Sequence, residues 1–297
     1  MPSLENELPD TFKNTVQRLR DRVAEIACEP RTPGSLHHAN VRAAVTAELA
    51  SLGFDVREVP AACSGPPCIN ILAKWPCHGD RPGLVVGAHY DSRPDVPGAD
   101  DNASAVAVLL ELARWTAPML ARDLPHYQIE LAFYDREESG LIGSKAHARA
   151  CAENGAPAAM IALEMLGFAD HRRGSQAPIP GMHHYEMPST ANFLVVCADQ
   201  GSAELAGRLA HAMSEPDGLP VVPVIGPEVA RSPWTRLSDH CSFWDEGLPA
   251  MVITDTGPLR NRHYHLPSDR PETLDYDFLA KGARGLCRAI EALLFGR

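Results

Sequence analysis

Base is scarce in this chain. Its 297 residues carry 27 Lys and Arg against 38 Asp and Glu, a net charge of -11. No basic stripe is interleaved with aromatics. That balance argues against nucleic acid or an anionic membrane as a partner. Long apolar runs are missing as well: none approaches the roughly 18 residues of a membrane span. The first 27 residues are charged and amphipathic and lack the apolar centre of a secretion signal, so the chain as given is expected in the cytoplasm. The cysteines fit no zinc-finger spacing. Cys63, Cys68 and Cys77 are close enough for a loop disulfide or a metal knuckle, but reduced, unrelated thiols suit a cytoplasmic chain of this size better. No repeat, low-complexity tract or linker divides the sequence, and a single domain over residues 1–297 is expected.

What is present is a sizeable apolar fraction, 45%, arranged in alternating patterns. Helical spacing in "SLHHANVRAAVTAELASLGF" stops at Gly53. "FDVREV" and "CINILAKW" alternate like strands, and "PGLVVGAH" is a short continuous run suited to a buried central strand. "NASAVAVLLELARWTA" reads as helix, "YQIELAFYD" as strand, "SGLIGSKAHARAC" as helix and "AAMIALEMLGF" as a strand ending at Glu164. An irregular stretch, residues 169–191, follows. "NFLVVCA", "SAELAGRLAHAMSE", "LPAMVITDT" and the tail then give strand, helix, strand and an amphipathic helix. Such alternation predicts an α/β fold: a mostly parallel, mixed central sheet with helices on both faces. The 169–191 segment is too long for a simple connector and is expected to wall a cleft near the active site.

Acids and histidines fall where these strands end, the place where open α/β sheets bind ligands. His89 and Asp91 follow "LVVGA", with Asp100 and Asp101 in the next loop. Glu137 and Glu138 follow "IELAFYDR", Glu164 follows "MIAL", and "HYHLPSD" follows the last predicted strand. Adjacent carboxylates at a buried edge would repel, and each would raise the other's pKa; a dication removes that conflict. Carboxylate and imidazole together suit Zn²⁺, with Mn²⁺ and Co²⁺ as alternatives. Ligands drawn from several strand ends leave a coordination position open, and the cluster contains no Cys, both marks of a catalytic over a structural site. In an extended segment Asp91 shares a face with His89 and can accept the imidazole's second N–H.

The ordered set His89-x-Asp91, Asp101-Asn102-x-Ser104 before a helix, Glu137-Glu138-x-Gly with Gly143-Ser144, Glu164-Met165, and Tyr264-His265 with Asp269 resembles the co-catalytic zinc aminopeptidases. These belong to metallopeptidase family twenty-eight, which also holds glutaminyl cyclases and some carboxypeptidases. The resemblance runs from about Arg31 to the last helix. It implies a zinc-peptidase fold and two zinc ions. His89 and Glu164 would hold one ion, Glu138 and His265 the other, and Asp101 would bridge them. It further implies Glu137 as general base and Tyr264 as a donor to the developing oxyanion. Hydrolysis would release an N-terminal residue from a peptide through a metal-bridging water. Glu164 stands where most relatives have Asp, and Leu266 where Thr is usual; neither change removes a ligand.

Other readings compete locally. His263 would share a face with His265, but His265 carries the Tyr-His pairing and the spacing to Asp269. Asp239 and His240, in "LSDHCSFWDEGLPA", read equally as pocket residues and as a helix start, since Ser238 and Asp239 make good caps. His183 and His184 read as solvated, as do His37, His38, His126, His147, His171 and His211. The four tryptophans read as packing residues. The leading function is a metallo-aminopeptidase, with glutaminyl cyclisation and carboxypeptidase action as alternatives. Arg93, Arg231, Arg236 and Arg260 are the candidate clamps for a free carboxylate. The related dimeric aminoacylases carry an inserted domain for which the span from Glu164 to His265 leaves no room.

Overall fold

The computed structural model describes residues 11–77, 79–214 and 217–296. Helices α1 (Phe12–Ile26) and α2 (Leu36–Ser51) come first, followed by strands β1 (Asp55–Ala61), β2 (Cys68–Lys74) and β3 (Gly83–His89). Then come α3 (Ala105–Leu120), β4 (Gln128–Tyr134), α4 (Ile142–Asn154) and β5 (Ala159–Glu164). A small ribbon, β6 (Asp170–Arg173) and β7 (Thr190–Ala191), precedes β8 (Leu194–Ala198), α5 (Ala203–Ser214) and β9 (Val221–Ile225). The chain ends with α6 (His240–Asp245), β10 (Ala250–Thr254) and α7 (Tyr276–Phe295). Local chemistry sets several of these boundaries. The Ser35 hydroxyl accepts the His38 N–H at the start of α2, and Asp275 accepts the Phe278 N–H at the start of α7, each satisfying an orphan donor. Helix α2 stops where Gly53 takes φ +97°, a conformation that costs glycine little. Of the N-terminal stretch, residues 1–10 lie outside the described ones; the remainder forms α1, which buries Leu19, Val23 and Ile26.

Eight strands form one mixed sheet in the order β1-β2-β4-β3-β5-β10-β8-β9. Its centre, β4-β3-β5-β10, is parallel, while β1, β2 and β8 run antiparallel to their inner neighbours. Side chains alternate between two cores with the period of two that strands impose. Leu84 and Val86, Ile161 and Leu163, and Met251 and Ile253 enter the larger core, with α1, α2, α3, α5 and α7 packed on it. Val85, Met160, Ala162 and Val252 enter the smaller one, under α4 and α6. Residues 99–120 have the length and hydropathy of a membrane span, averaging 1.2, but 78% of that window is buried inside the fold. The apolar character of α3 is thus used up by the core.

Two features depart from the sequence reading. Residues 169–191 are not irregular throughout: Asp170 pairs with Ala191 and Arg173 with Thr190, closing the segment at its base. Strand β9 was not expected, because Pro223 interrupts it. It lies at the sheet edge and pairs only with β8, the place where a strand tolerates a missing N–H.

From β3 the chain passes to β4 on one side and then to β5 on the other. That reversal opens a crevice beyond the carboxyl end of β3, and His89 is the last residue of that strand.

Candidate metal centre

Three strand ends and two turns deliver the site. His89 ends β3, Glu137 and Glu138 follow β4, Glu164 ends β5, and Asp101 lies in the turn before α3. Gly98 enters that turn at φ +63°, where a Cβ would lie 2.1 Å from the Asp101 carbonyl oxygen, so the turn requires glycine. The Asp101–Asn102 peptide is cis. His265 itself has φ +60°, Met165 after Glu164 has +47°, and Arg136 before Glu137 has +59°. Such conformations cost of order 1–3 kcal/mol each and persist where surrounding contacts impose them.

The five residues expected to bind metal converge in two overlapping groups. His89, Asp101 and Glu164 form one; Asp101, Glu138 and His265 form the other. Asp101 belongs to both through different oxygens. Its Oδ1 is 3.3 Å from His89 Nε2, and its Oδ2 is 3.2 Å from His265 Nε2. Glu164 Oε2 lies 3.5 Å from His89 Nε2, and Glu138 Oε2 lies 3.5 Å from His265 Nε2. Glu137 stands beside both groups, its Oε2 at 4.0 Å from His89 Nε2. His263 turns away, its Nδ1 on the Ser268 hydroxyl at 2.9 Å, and it is His265 that joins the cluster.

A supporting layer fixes these groups. Asp91 is fully buried and does more than the sequence suggested. Its carboxylate lies 3.4 Å from His89 Nδ1 and also accepts the backbone N–H groups of Glu137 and Glu138, at 3.0 and 3.3 Å. Asp269 accepts the N–H groups of Asp100 and Asp101. Asp100 sits behind the site, taking the Gly167 N–H at 2.8 Å and an Asn261 N–H at 2.7 Å. Two supports were not singled out from sequence. The Ser238 hydroxyl donates to Glu164 Oε2 at 2.6 Å, and Asn102 donates to the Leu163 carbonyl while accepting the Met165 N–H. Each sits within or beside a motif already read, but neither residue type signals such a role alone.

Electrostatics show that the cluster suits a cation. Burial pushes Glu137 well above the carboxylate range, and Glu164, Asp239 and Asp91 add to it. Burial and Asp101 push Glu138 up to about 8, and Glu164 is likewise raised by burial. Burial pulls the His89 imidazolium down, but Glu137, Glu164, Asp101 and Asp91 outweigh it and hold it well above its ordinary value. So much buried carboxylate with so little base is relieved by divalent cations, and imidazole with carboxylate is the donor set of zinc. His89 and Glu164 with Asp101, and Glu138 and His265 with Asp101, are the groups that could hold them.

Two histidines read as solvated are in fact buried. His38 is 2% exposed, bonds Asp135 at 2.9 Å and stacks on Tyr90. His147 bonds the Tyr134 hydroxyl at 3.0 Å and pairs with Glu130 at 2.9 Å. Their acid partners lie 97 and 17 positions away in sequence, so no local pattern marks the pairs. His183 and His184 are exposed. The helix-start reading of Asp239 gains only its position: its side chain caps nothing. Both its carboxylate oxygens are buried without a hydrogen-bond partner. His240 Nε2 meets the Thr235 carbonyl at 2.7 Å, and burial lowers its pKa to about 4. Cys63, Cys68 and Cys77 are free thiols.

A cleft of about 260 Å³ opens on the site between Glu137, Glu138, Leu141, Arg236, Leu237 and Tyr264. Beside it, Glu164 and Tyr264 also border an apolar pocket formed by Met165, Ile179, Val195, Trp234, Val252 and Leu259, with His240 on its wall. Ile179 comes from the 169–191 segment. Trp234 is 42% exposed and so departs from the packing role expected of it, whereas Trp244 is tied down by its N–H to the Ala250 carbonyl.

Residues 70–290 match the family model for peptidase family M28. The chain belongs to peptidase family M28. It is 33% identical over 293 residues to YfbL of Escherichia coli, an alignment covering 94% of this chain and 86% of that one. It spans about half the length of the fungal leucine aminopeptidases it also matches: 26% identity to that of Blastomyces gilchristii covers 72% of this chain and 53% of that one. Its fold is that of BSAP, a zinc aminopeptidase from Bacillus subtilis (TM-score 0.69, 15% identity, 97% of each chain). It is also similar to the glutaminyl cyclase of Porphyromonas gingivalis (TM-score 0.67, 21% identity, 95% and 98% of the two chains). Sequence thus places the chain in a peptidase family, and its fold is shared by a zinc aminopeptidase and a glutaminyl cyclase, so the fold alone does not choose between the two reactions.

One consequence of the buried acids is measurable. Burial pushes Asp239 and Asp269 up to about 7 and Asp255 to about 6, whereas carboxyls in an unfolded chain titrate near about 4. Between those values the folded protein binds more protons than the unfolded chain. The stability these groups contribute is present below about pH 4 and is lost as pH rises to about 7. In chelator, the Tm of Asp239→Asn should fall less between pH 5 and pH 8 than that of the unaltered protein. An equal or larger fall would contradict the burial assignment.

Proposed function

We propose that this M28 enzyme is a two-zinc aminopeptidase that removes apolar N-terminal residues from peptides. The observation that carries the reading is Asp101, whose two oxygens face two separate ligand groups. Held by these residues, the ions would supply Lewis acidity to activate water and polarise the scissile carbonyl.

The side chains do the rest. Glu137 takes a proton from the attacking water as its oxygen adds to the carbonyl carbon, then gives that proton to the leaving amine as the C–N bond breaks. Asp91 holds the Glu137 N–H and so keeps the carboxylate in place. Tyr264, stacked on His265 with ring centroids 3.7 Å apart, keeps its phenol protonated: burial and the surrounding carboxylates raise its pKa. It can therefore donate to the carbonyl oxygen as charge develops there. An acid-lined cleft suits a free α-amine. Two of the four candidate clamps for a free carboxylate are engaged elsewhere: Arg236, which lines the cleft, gives its guanidinium to Asp245 and to the Ala230 carbonyl, and Arg260 is buried against Gln176 and Phe193. The apolar pocket beside Glu164 and Tyr264 favours leucine-like first residues; burying such a side chain is worth about 1.5–3 kcal/mol.

The test is a panel of amino-acid arylamides. Leucine and methionine substrates should exceed aspartate in kcat/KM by about tenfold or more, the factor carried by each 1.4 kcal/mol. Cyclisation of a Gln-initiated peptide without release of N-terminal residues would replace this reading with the cyclase one.

A further inference from the structure

The two imidazoles of the centre are held in opposite ways. His89 Nδ1 faces acceptors alone, the Asp91 carbonyl at 3.3 Å and the Asp91 carboxylate at 3.4 Å. A proton therefore sits on Nδ1, as ligation through Nε2, the nitrogen turned to Asp101 and Glu164, requires. At His265 the outer nitrogen faces a donor: Arg93 Nη1 lies 3.3 Å from Nδ1. A guanidinium carries donors only, so Nδ1 offers Arg93 its lone pair. The proton then falls on Nε2, the nitrogen turned to Asp101 Oδ2 and Glu138 Oε2. The same Arg93 Nη1 is 3.6 Å from Glu138 Oε2.

We propose that Arg93 regulates occupancy of the Asp101–Glu138–His265 position, making it the weaker and exchangeable of the two zinc sites. The inference rests on the two-zinc reading. A metal at His265 Nε2 requires the other tautomer, with the proton on Nδ1, so ligation and the Arg93 hydrogen bond exclude each other. Loading that position moves one proton from Nε2 to Nδ1 through solvent, with no net change in protonation, and turns the guanidinium away. Arg93 is 45% exposed, so it can withdraw into water. Until it does, it competes for Glu138 and His265 and places a positive charge beside the incoming dication. Among the described residues no guanidinium faces His89, whose Nδ1 proton is already held by Asp91. The sites should therefore fill in order: His89–Asp101–Glu164 first, Asp101–Glu138–His265 second.

The test is calorimetric titration of the full chain with zinc alone. The unaltered protein should show two steps. His265→Ala should remove the weaker step and His89→Ala the tighter one. Arg93→Ala should tighten the weaker step about ten- to a hundredfold, the range for groups that orient metal ligands, and leave the tighter step unchanged. Arg93→Lys, which keeps the charge without the planar fork, should fall between. Imidazole ¹⁵N spectra should show His265 changing tautomer only at the second equivalent. A weaker step that Arg93→Ala leaves unchanged or weakens, with two steps still present, would overturn the Arg93 role alone. A single ion in both proteins at every zinc concentration would overturn that role and the two-zinc reading together.

Discussion

Glu137→Gln is expected to lower kcat by about 10²–10⁴-fold, the usual contribution of a positioned general base, while zinc content stays unchanged. Glutamine matches the shape of glutamate but cannot take a proton from water. The Glu137 carboxylate belongs to neither metal-ligand group, and its backbone N–H, held by Asp91, is untouched by the substitution. In the metal-free protein the burial that positions it raises its pKa well above the carboxylate range, a shift that bound dications oppose. Activity of the unaltered enzyme should therefore be lost on acidification as Glu137 takes up a proton, and that acid limb should vanish in the residual activity of the variant. Paired measurements of kcat and of zinc by atomic absorption decide the matter. Full activity in Glu137→Gln would remove the base; lost activity together with lost zinc would make Glu137 a ligand.

The second large effect concerns Asp101. Removing a residue that merely orients a ligand already costs about ten- to a hundredfold in metal affinity; removing a carboxylate that serves both groups should cost at least that at each. Asp101→Ala is therefore expected to bind neither ion tightly and to lose turnover altogether. His89→Ala and His265→Ala should each spare one ion. The asymmetry follows from the two oxygens of Asp101 facing different imidazoles. Its own pKa is held low by His265 and His89 against the opposing pull of burial, so the carboxylate is ionised and ready to ligate. Loss of a single ion in Asp101→Ala would contradict the bridging role.

The convergence of these residues was legible from sequence to a large extent because of where the strands end. His89, Glu137, Glu138 and Glu164 each follow a short apolar run, and the parallel centre of the sheet turns those separate positions into one crevice. The pairing of Tyr264 with His265 sufficed to prefer it over His263. Less legible were contacts made across long sequence distances. His38 with Asp135 and His147 with Glu130 looked like surface histidines because their partners are contributed by other elements. Strand β9 was hidden by Pro223, which is harmless at an edge but would be disruptive inside a sheet. Asp91 was read as a partner for His89; its grip on two backbone N–H groups of the Glu137–Glu138 turn depends on how β3 and β4 lie side by side. Arg93 was read only as one of four candidate carboxylate clamps, since its place beside His265 depends on how two distant segments meet. The apolar pocket takes its walls from β8, β10 and the 169–191 segment, so its shape appears only once the sheet order is known.

The central claim is that two divalent ions share Asp101. Diffraction from crystals soaked in excess zinc, recorded at the zinc absorption edge, tests it directly. Two anomalous peaks are expected, one within reach of His89, Asp101 and Glu164, the other within reach of Asp101, Glu138 and His265. No peak in contact with Asp101, or a single peak persisting at saturating zinc, would contradict the account.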